Sequence, residues 1–126
     1  MKKVAIKTDR APAAIGPYSQ GIKAENLLFI SGQLPINPDT GEMIESGIAN
    51  LAIQCINNIR GILEEAGGTL ENLVKVTIYC TDLTEFKKIN QAYEAFFTGT
   101  PPARAVVEVQ ALPMGSRIEI EAIAFI

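Results

Sequence analysis

The chain has 126 residues, of which 48% are apolar and 20% are charged, and its formal net charge is -3. This length and composition fit one globular domain, so we expect a single domain over residues 1–126. The acidic balance, without any basic run, argues against a nucleic-acid surface. Neither a membrane-spanning apolar stretch nor a signal peptide is recognisable, so we expect a cytoplasmic protein without membrane association.

Histidine is absent from the sequence, and the two cysteines are Cys55 and Cys80. The absence of histidine excludes Ser-His and Cys-His nucleophile pairs and imidazole metal ligands. Because neither cysteine belongs to a C-x-x-C pair, we expect both to be core thiols. Any chemistry then depends on arginine, glutamate, tyrosine, backbone groups and water, since no glycine motif for nucleotide phosphates is present.

In the first half of the chain, the pattern predicts a strand near residues 2–8 and then a hairpin over residues 18–30 that turns at Glu25-Asn26. Turn-forming residues crowd residues 37–42, which indicates a surface turn. From Gly47 to Ala66, apolar residues recur at three-and-four spacing before Gly67-Gly68. A helix is therefore predicted over 47–66, ending at the glycine pair.

The second half predicts one more helix and three strands. The helix begins at the N-cap candidate Thr84 and ends before residues 98–102, and we expect its aromatic side chains to be core. Residues 74–80, 105–109 and 117–126 are rich in β-branched residues and are predicted strands. Together these elements indicate an α+β fold in which two helices cover one face of a sheet.

Alternation along these strands assigns each residue to one face of the sheet. The face predicted to receive the helices carries Val74, Val76, Ile78, Cys80, Ala105, Val107, Val109, Ile118, Ile120, Ala122, Ala124 and Ile126. The opposite face mixes apolar residues with charged ones and carries Lys75, Thr77, Tyr79, Arg104, Val106, Glu108, Arg117, Glu119, Glu121, Ile123 and Phe125. Such a mixture is typical of a subunit interface that contains a polar site.

Arg104 follows Pro101-Pro102-Ala103 and precedes an apolar strand, an unusual position for a surface charge. A guanidinium there can bind a carboxylate through two parallel hydrogen bonds, a geometry that lysine does not reproduce. A surface arginine paired with Glu108 or Glu119 fits the spacing equally well. Taken singly, Glu119 and Glu121 fit solvated acids better than site residues.

Five segments together resemble the RidA (YjgF) family: residues 11–20 (APAAIGPYSQ), 31–35 (SGQLP), 90–97 (NQAYEAFF), 102–104 (PAR) and 118–124 (IEIEAIA). The resemblance spans almost the whole chain. It implies a chorismate-mutase-like α+β fold, a homotrimer with three sites at subunit boundaries, and no cofactor. The implied activity is hydrolysis of 2-imino acids and enamines, such as 2-iminobutanoate and 2-iminopropanoate, to 2-keto acids and ammonia.

The same resemblance implies roles for individual residues. Arg104 matches the position that binds the substrate carboxylate, and Glu119 matches the position that positions water. Other site-lining positions are matched by Tyr18, Ser31, Gly32 and Asn90. Val106 stands where many members have a cysteine, which leaves the contribution of that position open.

Two other functions stay open beside deamination. A regulatory module that binds small carboxylates without turning them over is motivated by Val106 in place of the cysteine. A ribonuclease is disfavoured by the acidic charge, the missing histidine and the lack of a basic strip with interleaved aromatic residues.

Overall fold

A six-stranded mixed sheet forms the centre of the molecule in the computed structural model, which describes residues 2–126; Met1, although inside the predicted domain, lies outside them. The elements are β1 (Lys3–Ile6), β2 (Gly21–Ala24), β3 (Leu27–Gln33), β4 (Ile36–Asn37), β5 (Glu42–Met43), α1 (Ile48–Glu65), β6 (Leu73–Cys80), α2 (Phe86–Glu94), β7 (Ala103–Glu108) and β8 (Ile118–Phe125). The strand order is β1-β2-β3-β8-β6-β7, and β4 and β5 form a separate hairpin. Neighbouring strands are antiparallel except β6 and β7, which are parallel. The predicted α+β architecture with two helices is confirmed.

The helix α1 follows directly from its apolar spacing. Its buried side is aliphatic apart from Cys55, Asn58 and Gly61, and it packs on the sheet. The helix ends where Gly67 adopts a φ of 90°, in the left-handed region that glycine tolerates, and the Gly68 amide donates to the Leu63 carbonyl at 2.8 Å. Within residues 2–126, neither helix is long and apolar enough to cross a membrane.

The start of α2 differs from the prediction. Thr84 does not cap the helix: α2 begins after Glu85, which makes no side-chain capping bond, and Asp82 caps the turn before it, where its carboxylate accepts from the Thr84 amide at 3.0 Å and from the Thr84 hydroxyl at 2.6 Å. A short 3-10 turn then leads into the helix. Of the aromatic side chains predicted as core, Tyr93 is 5% exposed, but Phe86 is 39% exposed, because it lies in the first turn at the edge of the sheet.

Alternation along β6 assigns one residue, Val74, to the wrong face of the sheet. Val74 is 46% exposed, whereas Leu73 is 6% exposed and takes its place in the core. The cause is a register shift against β8, where Leu73 pairs with Ala124 and Lys75 pairs with Ile123, so Val74 is an extra residue in the ladder. From Val76 onward the predicted faces of β6 and β8 are confirmed.

On β7 the predicted faces are reversed. The parallel register pairs Val76 with Arg104 and Ile78 with Val106, and paired residues share a face. Residues 105–107 are all apolar, so their pattern does not show which of them face the helices. The pairing of β7 with β6 decides this. The helix side therefore carries Arg104, Val106 and Glu108, while Ala105 and Val107 lie on the other face and Val109 lies beyond the end of the strand.

A buried amide joins α1 to the chain that follows β3. Asn58 is fully buried, and its Nδ2 donates to the Leu34 carbonyl at 3.1 Å and to the Ile36 carbonyl at 3.0 Å. Its Oδ1 accepts from Gln54 at 2.9 Å. The Leu34 carbonyl also accepts from the Ile36 amide at 2.8 Å, so the Asn58 bonds are a second partner for one carbonyl and satisfy the other at the start of β4.

Replacement of Asn58 by alanine should lower the free energy of unfolding by roughly 1–3 kcal/mol, because it removes two buried hydrogen bonds and the Asn58 partner of the Ile36 carbonyl. Urea denaturation of the purified variant measures this loss. Asn50→Ala, an exposed change in the same helix that removes a bond to Ser46, is the matched control and should lose less. Equal losses in the two variants would contradict the role given to Asn58.

Candidate functional site

Arg104 lies beneath α2 and faces aromatic rings rather than acids. Its guanidinium carbon is 4.7 Å from the centroid of Tyr93 and 5.8 Å from that of Phe86. In residues 2–126 it forms no ion pair: Glu108 instead accepts from the Leu83 amide at 2.8 Å. The alternative of a surface arginine paired with Glu108 or Glu119 is therefore not what the fold contains. Stacking on aromatic faces orients a planar guanidinium and leaves its N–H groups for a ligand.

Asn90 and Val106 lie beside Arg104. Residues 86, 90 and 93 recur at helical spacing, so Asn90 is on the side of α2 that carries the two rings. Val106 is two residues after Arg104, on the same face of β7, and packs against the core. We call this group the arginine cluster: Phe86, Asn90, Tyr93, Arg104 and Val106.

The Tyr93 hydroxyl is a buried polar atom without a hydrogen-bond partner in residues 2–126. Burial raises the pKa of Tyr93, and the positive charge of Arg104 opposes part of that rise. The phenol is therefore a neutral donor at the edge of the Arg104 site. The sequence pattern predicts the Tyr93 ring only as part of the core. The helical spacing of Phe86, Asn90 and Tyr93 is the sequence signal that places this ring on the same side of α2 as Asn90.

Glu119 belongs to a second group on the opposite face of the sheet. It pairs in register with Tyr79 on β6, and it points away from the buried Ile118 and Ile120. A Cβ placed on Gly32 would lie 2.6 Å from Oε2 of Glu119, so the carboxyl group rests against bare backbone. An irregularity between Ile30 and Gln33 of β3 brings this glycine into position.

Ser31 precedes Gly32 on β3, and Tyr18 belongs to the segment that is hydrogen-bonded to Ser31. The Ser31 hydroxyl donates to the Ser19 carbonyl at 2.6 Å and so ties β3 to the segment that carries Tyr18. Tyr18 is 52% exposed and lines a cleft of about 630 Å³ together with Ser19 and Gln20. Neither Arg104 nor Glu119 lines this cleft. We call Tyr18, Ser31, Gly32 and Glu119 the glutamate cluster.

The Glu119 carboxyl group is electrostatically unusual. Its pKa is raised, first by partial burial and then by the negative charge of Glu121. Glu121 itself accepts a hydrogen bond from the Tyr79 hydroxyl, a bond that is also the main reason why the pKa of Tyr79 is raised. Glu119 therefore keeps its proton to a higher pH than an exposed glutamate does.

One chain does not bring the two clusters together. Arg104 is on the helix face of β7, Glu119 is on the other face of β8, and β6 lies between these strands. With neighbouring strands about 4.8 Å apart, the two backbones are separated by roughly 10 Å as well as by the sheet itself. The prediction that Glu119 and Glu121 project toward the face of Arg104 is wrong, because it depended on the reversed faces of β7.

Both cysteines are structural. Cys55 and Cys80 are buried free thiols, as predicted, and burial is the first cause of the raised pKa of each. In residues 2–126, no group of three or more Cys, Asp and Glu side chains could hold a metal ion.

Known proteins share this arrangement of elements. The family model Endoribonuclease L-PSP matches residues 8–126. A RutC family protein of Pyrococcus abyssi is 49% identical over 99% of this chain and 98% of its own, and the 2-iminobutanoate/2-iminopropanoate deaminase of Mus musculus is 44% identical over 94% and 88%. The crystal structure of the YjgF gene product from E. coli has a TM-score of 0.93 at 47% identity, covering 97% of this chain and 98% of its own. E. coli TdcF with bound serine has a TM-score of 0.94 at 40% identity, covering 98% of each chain. The chain therefore belongs to the Endoribonuclease L-PSP family, which is the RidA (YjgF) family that its motifs resemble.

Proposed function

We propose that this protein is a deaminase that hydrolyses 2-imino acids and their enamine tautomers, such as 2-iminobutanoate and 2-iminopropanoate, to 2-keto acids and ammonia. The observation that carries the proposal is Arg104, an arginine held by two aromatic rings with no acidic partner in residues 2–126. Two relatives support it. The mouse relative is named as such a deaminase, and TdcF binds serine, a small molecule with a carboxylate and an adjacent nitrogen.

Arg104 would grip the substrate carboxylate through paired hydrogen bonds, each contributing about 1.5–3 kcal/mol in a shielded site. Asn90 and Val106 would line this half of the pocket, and the methyl groups of Val106 would contact the substrate where many relatives present a thiol. Tyr18, Ser31 and Gly32 would line the half that contains Glu119. The carboxylate grip fixes the imine carbon relative to Glu119, and orientation of this kind is a large part of catalysis.

The reaction needs water and a proton path, and it uses no cofactor. Water adds to the imine carbon, forming a C–O bond while the C=N π pair moves to nitrogen. Glu119 exchanges protons with both partners: one proton goes to the nitrogen and one is taken from the water. The resulting carbinolamine then expels ammonia as its C–N bond breaks, and the carbonyl of the 2-keto acid forms.

We further propose that each pocket is shared by two subunits of a homotrimer, with Arg104 from one and Glu119 from its neighbour. The separation of the two residues on opposite faces of one chain supports a shared pocket. So do the exposed apolar side chains on the sheet face away from the helices, which are Leu27, Phe29, Val107 and Phe125. The trimeric order is the one that the family motifs imply, and closed rings of this kind satisfy such interfaces.

Substitution of Arg104 tests the carboxylate grip. In an assay coupled to threonine dehydratase, with semicarbazide trapping the free imine, the wild type should accelerate release of 2-ketobutanoate. Arg104→Ala should abolish the acceleration. Arg104→Lys should lose about 10- to 100-fold, since it keeps the charge but not the paired hydrogen bonds.

Arg60→Lys is the matched control, because Arg60 also stacks on a ring, that of Phe96 at 5.3 Å, but lies outside both clusters. It should retain wild-type acceleration. Full activity of Arg104→Ala, or no acceleration by the wild type, would overturn the proposed function.

Mixing two inactive variants tests the shared pocket. Arg104→Ala and Glu119→Gln subunits, unfolded and reassembled together, should recover about a quarter of wild-type activity, since each required residue is intact in half of the subunits. Native mass spectrometry verifies that mixed trimers form. Glu119→Gln mixed with the double variant Arg104→Ala/Glu119→Gln is the control and should recover nothing. Mixed trimers without recovery would contradict a pocket built from two subunits.

Val106 favours one other function, a module that binds 2-keto acids without turning over imines. Calorimetry separates the two: tight 2-keto acid binding together with no acceleration in the coupled assay would favour the binding module. The family description as an endoribonuclease adds RNA cleavage as another activity to be tested. RNA cleavage that survives repeated purification and disappears in Arg104→Ala would replace the proposed reaction.

A further inference from the structure

Tyr79 and Glu121 form a hydrogen-bonded pair beside Glu119. On the face away from the helices, Tyr79 of β6 lies opposite Glu119 of β8, and Thr77 lies opposite Glu121. The Tyr79 hydroxyl reaches diagonally across the ladder and donates to the Glu121 carboxylate. The two glutamates thus differ in one respect: Glu121 has a fixed donor, whereas no hydrogen bond to the Glu119 carboxyl group is found in residues 2–126.

This difference distributes charge between the two carboxyl groups. A hydrogen bond donated to a carboxylate stabilises its ionised form, and Glu121 receives such a bond from Tyr79, whereas Glu119 does not. Glu119, two residues along the same face, then lies beside a fixed anion and against the backbone of Gly32. A second negative charge at that place is unfavourable, and the proton shared by the pair belongs on Glu119. The raised pKa of Glu119 agrees with this arrangement.

Within residues 2–126 of one subunit, no cation beside Glu119 reverses that order. Facing Glu119 are Glu121 on its own strand, Tyr79 on β6, and Ser31 and Gly32 on β3, and none of these groups is a cation. The Cys55 thiol of α1 is also within electrostatic reach, and the charge of Glu119 contributes to the raised pKa of that thiol. Lys75 is on the same face but pairs with Ile123, farther along β8. The ion pairs found in residues 2–126 join Arg10 to Glu64 and Glu65 and Arg117 to Glu85, and none involves Glu119 or Glu121.

We propose that Tyr79 and Glu121 are positioning residues that place a proton on Glu119, so that Glu119 acts first as a proton donor to the substrate. The proposal rests on the proposed function. The Glu119 O–H bond breaks as an N–H bond forms on the imine, which makes the imine carbon more electrophilic. The carboxylate left behind then accepts a proton from the water that adds to this carbon.

The same exchange completes the reaction. Glu119, protonated again, gives its proton to the amine nitrogen of the carbinolamine. As the C–N bond breaks and ammonia leaves, the carboxylate takes the hydroxyl proton and the carbonyl forms. Substrate and one water are converted into keto acid and ammonia, and Glu119 ends protonated as it began.

Titration of the assembled protein tests where the proton is held. Carbon-13 NMR of labelled glutamate carboxyl groups should show Glu119 titrating at a higher pH than an exposed glutamate. Tyr79→Phe removes the donor that stabilises the charge of Glu121, so the pKa of Glu119 should fall. Glu121→Gln removes the neighbouring anion and should also lower the pKa of Glu119. Thr77→Val is the control: within residues 2–126 the Thr77 hydroxyl makes no hydrogen bond to either carboxyl group, so this change should leave the Glu119 transition in place.

Activity against pH provides the second readout. If Glu119 must begin protonated, kcat falls as pH rises through its pKa, and in Tyr79→Phe and Glu121→Gln this fall should move to lower pH. Because neither residue contacts the substrate carboxylate, KM should be unchanged, and Tyr79→Phe should lose less than the roughly hundredfold that removal of a proton donor costs.

The two proposals fail in different ways. If the wild type is active and the Glu119 titration is unchanged by both substitutions, the positioning pair is overturned and the deaminase function is retained. An inactive wild type whose titrations respond as described would overturn the deaminase, while the proton would still be held where the pair places it.

Discussion

The parallel pairing of β7 with β6 sets the direction of Arg104, and much of the candidate site depends on it. Parallel neighbours need a crossover, and here the crossover contains α2, which returns over the helix face of the sheet. The start of β7 therefore passes beneath the helix that supplies Tyr93 and Phe86. The same pairing separates Arg104 from Glu119 and Glu121 of β8, because the arginine lies on the helix face of the sheet and the two glutamates lie on the opposite face.

An arginine held by rings is chemically different from one held by a carboxylate. Stacking contributes about 0.5–2 kcal/mol and occupies the faces of the guanidinium, whereas an acid would occupy the N–H edge that a ligand needs. Arg104 is stacked in this way, and its N–H groups have no acidic partner in residues 2–126. In the proposed reaction of this protein without histidine, Arg104 would bind the substrate carboxylate, and Glu119, whose pKa is raised, would transfer protons.

The core and the glutamate cluster are mechanically connected through β3. The irregularity at Ser31 and Gly32 leads within a few residues to the carbonyls of Leu34 and Ile36, which Asn58 holds from inside α1. On its other side, Ser31 holds the segment that carries Tyr18 through the Ser19 carbonyl. The backbone against which Glu119 rests is thus fixed by one buried amide and one hydroxyl, both of which act on main-chain atoms rather than on side chains.

Much of the fold follows from the sequence alone. Helix α1 was predictable because its apolar spacing is regular and a glycine pair ends it, and the buried faces of β8 and most of β6 were predictable because their residues alternate strictly. The motifs indicated the family and which residues line a site, yet they carry no information about which face each residue occupies. The exposure of Val74 and the face of Arg104 were decided by tertiary structure. In both cases the local pattern allowed two solutions, and the choice came from contact with a distant segment. Register against β8 decided Val74, and pairing with β6 decided Arg104, because the three consecutive apolar residues 105–107 fit either face of the sheet.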